Sequence, residues 1–202
     1  MDTLIDGYRR FRSNGWSRHR DLFDTLSQGQ SPRTMVIACS DSRVDPQLIF
    51  DAAPGELFSV RNVANLVPPY APDAAYHGTS AALEFAVRAL RVSDIVVMGH
   101  AQCGGVRALL EGAPLDGLDF IAPWMEIAAP ARAKALAADV EPVQRQECCE
   151  FETVKLSLKN LMTFPWVAER VQAGDLRLHG CYFAVATGKL LMLGADGEFR
   201  AA

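Results

Sequence analysis

Two short segments of this chain carry side chains that could do chemistry together. Cys39-Ser40-Asp41-Ser42-Arg43 and His100-Ala101-Gln102-Cys103-Gly104-Gly105 supply two thiols, one imidazole, a carboxylate and a guanidinium. Zinc takes thiolate sulfur and imidazole nitrogen tetrahedrally, and a catalytic zinc keeps three protein ligands and one open position. Two thiolates and an imidazole favour zinc over harder cations. His100 and Cys103 lie three apart, so at a strand-to-helix turn both can face one point, with Gly104 and Gly105 permitting close backbone approach. Each segment alone is weak. A cysteine that ends an apolar run is usually a buried thiol, and Asp41 with Arg43 reads equally as a helix cap with a surface ion pair. Their value depends on whether the fold unites them.

The flanking sequence predicts such a fold. Thr34 to Ala38 is a short apolar run ending at Cys39, Leu57 to Val60 is a second, and Ile95 to Met98 is a third, ending at Gly99-His100. Helical patterns are expected over 79–91, 106–111, 121–138 (Ala-rich, interrupted by proline), 146–162 and 165–172, with a loop over 62–77. Leu176 to Ala186 and Leu190 to Leu193 predict a hairpin around Thr187-Gly188. Apolar strands separated by helices predict an α/β fold with a mainly parallel sheet flanked by helices. In such sheets ligands bind beyond the carboxyl ends of the strands, where Cys39 and His100 fall. Residues 1–29 read as a helical arm broken at Asn14-Gly15, packed on its own core or on a partner chain. Residues 30–202 read as the zinc-binding α/β domain.

Composition narrows the class. Half of the 202 residues are hydrophobic, enough for a sizeable core, and the net charge of −4 argues against a nucleic-acid partner. No apolar stretch approaches the roughly 18 residues of a membrane span. The first residues are charged at once and carry no secretory pattern, so a cytoplasmic location is expected. Five cysteines, an odd number, do not read as a disulfide framework. Cys148 and Cys149 adjoin on a predicted helix and point apart, so they read as buried or half-buried thiols. Cys181 and His179 read as strand residues, His19 has no metal-like neighbours, and His77 falls in the loop near the site, as a surface residue or a proton shuttle.

Cys-Ser-Asp-Ser-Arg followed by Gly-His-x-x-Cys-Gly-Gly resembles the signature of the β-class carbonic anhydrases. Pro54-Gly55-Glu56-Leu57-Phe58, Arg61-Asn62-Val63-Ala64-Asn65, Asn160 to Pro165 and Leu178-His179-Gly180 are similar to that family too, so the likeness runs from about Gln30 to about Leu191. The resemblance implies zinc on Cys39, His100 and Cys103, a dyad of Asp41 and Arg43, and a substrate pocket with Gln30, Phe58, Val63, Phe85 and the N–H of Gly104. It also implies a homodimer or homotetramer, with the arm embracing a second subunit and the pocket at the dimer interface. The reaction implied is reversible hydration of carbon dioxide to bicarbonate and a proton, by attack of a zinc-bound hydroxide.

Further expectations rest on that resemblance. Asp41 either orients the nucleophile from its pair with Arg43 or, with the pair broken, becomes a fourth zinc ligand. Some relatives bind a regulatory bicarbonate through a tryptophan, an arginine and a tyrosine; here the matching positions are Val36, Arg61 and Phe183, so that site is expected to be absent. Three other readings stay open at this level: hydrolysis of carbonyl sulfide or carbon disulfide by the same ligands, a closed structural zinc, and a thiol enzyme with Cys39 as nucleophile.

Overall fold

The computed structural model describes residues 1–73, 75–112 and 118–202. Position 74 of the expected 62–77 loop therefore lies outside the described residues. Six strands form one sheet in the order β2-β1-β3-β4-β5-β6. β1 (Thr34–Cys39), β2 (Leu57–Asn62), β3 (Asp94–His100) and β4 (Arg177–Ala184) are parallel to one another. β5 (Lys189–Leu193) and β6 (Phe199–Ala201) extend the edge antiparallel. The mainly parallel sheet and the hairpin match the sequence expectation. β6 does not appear in it, because three residues with one large apolar side chain give no period-two signal.

The first helices stand apart from the core. α1 (Asp2–Arg10) runs through a π-helical turn, Phe11–Gly15, into α2 (Trp16–Arg18), and α3 (Arg20–Leu26) follows. The expected break at Asn14-Gly15 is corrected: the chain stays helical there and turns at His19 (φ −111°, ψ 22°). Gly15 serves packing instead, since a Cβ on it would lie 2.8 Å from the Phe11 ring. No residue of these helices is buried in the chain, and Leu4, Ile5, Tyr8 and Phe11 are exposed. The arm touches the domain where Leu26 sits over Gly55, at which a Cβ would come within 2.5 Å of Cδ2.

Between the strands, α4 (Pro46–Ile49) follows β1, capped by Asp45, and α5 (Gly78–Glu84) continues through a π-helical turn, Phe85–Ala89. α6 (Gly104–Glu111) follows β3 directly. The expected 121–138 helix is split into α7 (Ile121–Glu126) and α8 (Ala129–Ala137), because the missing N–H of a proline suits a first turn and Pro130 opens the second helix. α9 (Arg145–Leu161) and α10 (Pro165–Gln172) complete the set. The main core lies on one face of the sheet, where Met35, Ile37, Ile95 and Val97 meet Leu83, Val87, Val154, Leu161 and Val167.

α9 approaches the sheet closely. A Cβ on Gly99 of β3 would lie 2.6 Å from Cγ2 of Val154, and one on Gly180 of β4 would lie 3.0 Å from Cδ1 of Leu158. Residues four apart share a helix face. The stripe Gln146, Glu150, Val154, Leu158 therefore runs along the sheet toward the carboxyl ends of its parallel strands.

Candidate metal centre

Ala38 pairs with Met98 across β1 and β3, so Cys39 and His100 leave adjacent strands at the same end. The turn after His100 brings Cys103 back to them. The Sγ atoms of Cys39 and Cys103 are 4.0 Å apart. With a nitrogen of His100 they form a group within 4.8 Å of one another, all three residues buried, and it is the one such group among the described residues. Two thiolates on one tetrahedral zinc at about 2.3 Å each would be separated by about 3.8 Å. Nδ1 of His100 faces the Ala101 carbonyl at 2.9 Å. Its Nε2 is buried and has no hydrogen-bond partner. A buried polar atom without a partner is costly, and an Nδ1–H donated to a carbonyl leaves the Nε2 lone pair free for a metal. The donor set fits zinc.

The thiols share the imprint of that site. The Cys103 side chain holds the Cys39 thiol well below its ordinary range, with His100 and the backbone of Asp41 and Ala64 adding to this against the opposing effect of burial. Cys103 is pushed up in turn, because it hydrogen-bonds to the ionised sulfur and is itself buried.

Asp41 and Arg43 form a bidentate pair beside these ligands. Nε and Nη2 of Arg43 donate to Oδ1 and Oδ2 of Asp41 at 2.9 and 2.7 Å, and the Arg43 backbone N–H adds a 2.9 Å bond. Nη2 also donates to the Gln102 carbonyl at 2.9 Å; Gln102 has a left-handed backbone (φ 58°) at the turn between β3 and α6. The Arg43 guanidinium keeps the Asp41 carboxyl far below the usual carboxylate range. Oδ2 of Asp41 lies 3.9 Å from Nε2 of His100, which places the carboxylate at the ligand cluster but on Arg43. Arg61 holds the segment from below, donating to the carbonyls of Cys39, Asp41 and Val44 at 3.0, 2.7 and 2.6 Å.

The proposed pocket residues divide into two groups. Val63 begins a 3-10 turn, Val63–Asn65, inside the expected loop, and a Cβ on Gly105 would lie 2.9 Å from its Cγ1. Gly104 opens α6, where first-turn N–H groups lack intrahelical partners. These two flank the ligands. Phe58 and Phe85 lie tilted against each other with centroids 5.8 Å apart, but Phe58 pairs with Met35 whereas Asn62 pairs with Cys39. Four strand residues separate those levels, about 13 Å at strand rise. Gln30 precedes β1 and so belongs to the amino end as well. Within one chain, Gln30, Phe58 and Phe85 are not part of the metal site.

Sequence reading missed three contributors. Glu150 accepts the Cys103 backbone N–H at 2.8 Å, Trp124 Nε1 donates to the Val63 carbonyl at 2.8 Å, and Arg61 braces the 39–45 segment. Glu150 looked like one more charge on a helix, though its i, i+4 stripe with the apolar Val154 and Leu158 was a usable signal. The other residues fall as expected. Cys149 and Cys181 are buried, Cys148 is half-buried, all five cysteines are free, and His179 pairs with Asp94 at 2.8 Å. His77 pairs with Asp73 at 2.7 Å.

A parallel sheet presenting buried Cys, His and Cys with an adjacent Asp–Arg pair defines a class of metalloenzyme. Comparisons with known proteins give its family. The profile of a family described as carbonic anhydrase matches residues 34–190. The chain is 40% identical to a carbonic anhydrase of Pseudomonas aeruginosa over 99% of its own length and 90% of that protein. It is also 40% identical to one of Synechocystis over 95% of its own length and 70% of that protein. The structure of the β-carbonic anhydrase CcaA superposes with a TM-score of 0.94 at 39% identity, covering 100% of this chain and 92% of that one. A tetrameric β-carbonic anhydrase of Sordaria macrospora gives 0.85 at 29% identity, covering 96% of each chain. The chain belongs to the carbonic anhydrase family, in its β form, and is a lyase.

Proposed function

We propose that the chain hydrates carbon dioxide reversibly at a zinc held by Cys39, His100 and Cys103. The observation that carries this reading is the buried, partnerless Nε2 of His100 facing two thiols. When bound, zinc supplies a Lewis acid that acidifies water and so provides the nucleophile. Asp41, held ionised by Arg43, would accept a hydrogen bond from the attacking oxygen and orient it toward the substrate. The Gly104 N–H and the Gln30 amide bind substrate oxygen, and Phe58, Val63 and Phe85 line an apolar pocket that favours carbon dioxide over water. With both carboxylate oxygens on Arg43, Asp41 serves here as acceptor; it becomes a fourth ligand only when that pair is broken.

Two thiolates would cancel the formal charge of a bound zinc and acidify its water less than three neutral imidazoles would, so hydration is expected to rise toward alkaline pH. The regulatory bicarbonate site is absent on this reading: Val36 is fully buried in the sheet, Phe183 has no donor, and Arg61 is engaged with three carbonyls. Because Gln30, Phe58 and Phe85 lie at the far end of the sheet from the ligands, the pocket is completed by a second copy. β2 is an edge strand, and the exposed apolar face of α1 offers the embracing arm. The assembly is a homodimer or a pair of dimers. No helix among the described residues is long and apolar enough to cross a membrane, and five free cysteines suit the reducing cytoplasm.

The test is stopped-flow carbon dioxide hydration between pH 7 and 9 on protein of known metal content. Hydration that tracks about one zinc per chain and increases with pH is the expected result. Zinc-loaded protein inactive at every pH would reject it, and carbonyl sulfide would then be tried.

A further inference from the structure

We propose that Glu150 is a positioning residue for the metal centre, fixing the turn that presents Cys103. The inference rests on the reading of Cys39, His100 and Cys103 as zinc ligands. Glu150 is 3% exposed and, among the described residues, joins no ion pair. Three neutral donors hold its carboxylate instead. The Cys103 backbone N–H and the Gln146 amide reach Oε1 at 2.8 and 2.9 Å, and the buried Tyr182 hydroxyl reaches Oε2 at 2.7 Å. Gln146 also reaches the Cys103 carbonyl at 3.4 Å, so one turn of α9 grips both backbone groups of the ligand residue.

The position of Cys103 makes this grip consequential. Cys103 is the N-cap of α6, and no full hydrogen bond runs from its side chain to the helix. An N-cap side chain ordinarily bonds back to the first helical N–H groups, which also fixes the entry of the chain. The Cys103 sulfur is directed to the ligand cluster and is only loosely met by the Gly105 and Val106 N–H groups, so Glu150 anchors the turn from outside through the Cys103 N–H. The glycines at 99 and 180 make room for it, since the close seat of Val154 and Leu158 brings the same stripe of α9 to the turn. A buried carboxylate with no cation is costly to keep. Its two oxygens accept from three donors at once, which a Gln with a single acceptor oxygen could not do, so the carboxyl ties the Cys103 turn to both Gln146 and Tyr182.

The experiment compares zinc affinity, by competition with a chromophoric chelator, and thermal midpoint for the full chain and three variants. E150Q keeps the shape but removes the charge and the acceptor that Tyr182 uses; Y182F removes that bond alone, without touching Cys103; Q146A removes the lateral support. Expected is a loss of zinc affinity of about 10–100-fold in E150Q, with a changed ligand-field spectrum in its cobalt form. Q146A should lose affinity by a smaller factor, and Y182F should lower the midpoint while leaving affinity near wild type. Wild-type affinity in E150Q, or affinity losses in E150Q and Y182F that merely follow their midpoints, would overturn the proposal. Should E150Q not fold, unchanged affinity in Q146A overturns it. A wild-type chain and a C103S chain that both lack zinc would remove the metal reading itself, and this inference with it.

Discussion

At the scale of single residues, Arg43 and Asp41 do more together than a surface ion pair would. Arg43 bonds both oxygens of Asp41, its own backbone adds a third bond, and a fourth ties the pair to Gln102 beside the ligands. Exposed ion pairs contribute little to stability, so this one is expected to matter for chemistry. R43A should retain zinc and its thermal midpoint while hydration falls about 10–100-fold, the range for residues that orient a metal site. R43K should rescue little, because an ammonium cannot make the planar two-point contact. Zinc content measured alongside stopped-flow rates checks both; loss of metal in R43A would contradict the assignment.

Among the elements, α9 and the paired strands determine whether the site assembles. Ser157 donates to the Asn65 carbonyl and accepts from the Val67 N–H, and Asn160 donates to the Val67 carbonyl. One helix thus supports the Val63–Asn65 turn as well as the Cys103 turn. Gly99 sets its seat, so G99A should destabilise the chain by about 1–3 kcal/mol through overpacking against Val154. V154A in the G99A background should recover part of that loss, a coupling that urea unfolding of the double-mutant cycle would measure. The amino ends of β3 and β4 are tied by Asp94, which accepts from Arg177 at 2.8 and 2.9 Å and from His179 at 2.8 Å. Burial opposes ionisation of Asp94, but the bonds from Arg177, His179 and Ser93 outweigh it and hold the carboxyl well below the usual range. A depressed folded pKa means that its stabilisation is present above the unfolded value of about 4 and is lost as pH falls toward the folded one. D94N should therefore be less stable by about 1–3 kcal/mol at pH 7, and the gap should narrow steadily in unfolding curves taken from about pH 4 downward. A gap that persists in acid would assign the loss to packing.

For the whole molecule, the proposed pocket places Gln30, Phe58 and Phe85 far from the proposed metal ligands, so on that reading assembly is a condition of activity. A chain lacking the arm, residues 1–26, should sediment as a smaller species and keep its zinc, yet hydrate carbon dioxide far more slowly. Analytical ultracentrifugation with metal analysis checks this; full activity in a monomer would refute the shared pocket. Half-exposed Phe85 and the exposed Leu4, Ile5, Tyr8 and Phe11 are the apolar surfaces that such an assembly would cover.

The sequence alone determined the ligand types, their order and the α/β class, because apolar strand runs and two short motifs are local signals that survive without coordinates. Cys39 and His100 could be placed at strand ends from the runs before them, whereas the Asp41–Arg43 dyad came only with the family resemblance. Tertiary structure decided the rest. Only the pairing of β1 with β3 brings sulfur to within 4.0 Å of sulfur. Only the close seat of α9 turns Glu150 from a helix charge into a partner of Cys103, and only the strand register shows that Phe58 lies at the far end of the sheet from Cys39 and His100. These facts join residues tens of positions apart, and no local periodicity encodes a distance between elements.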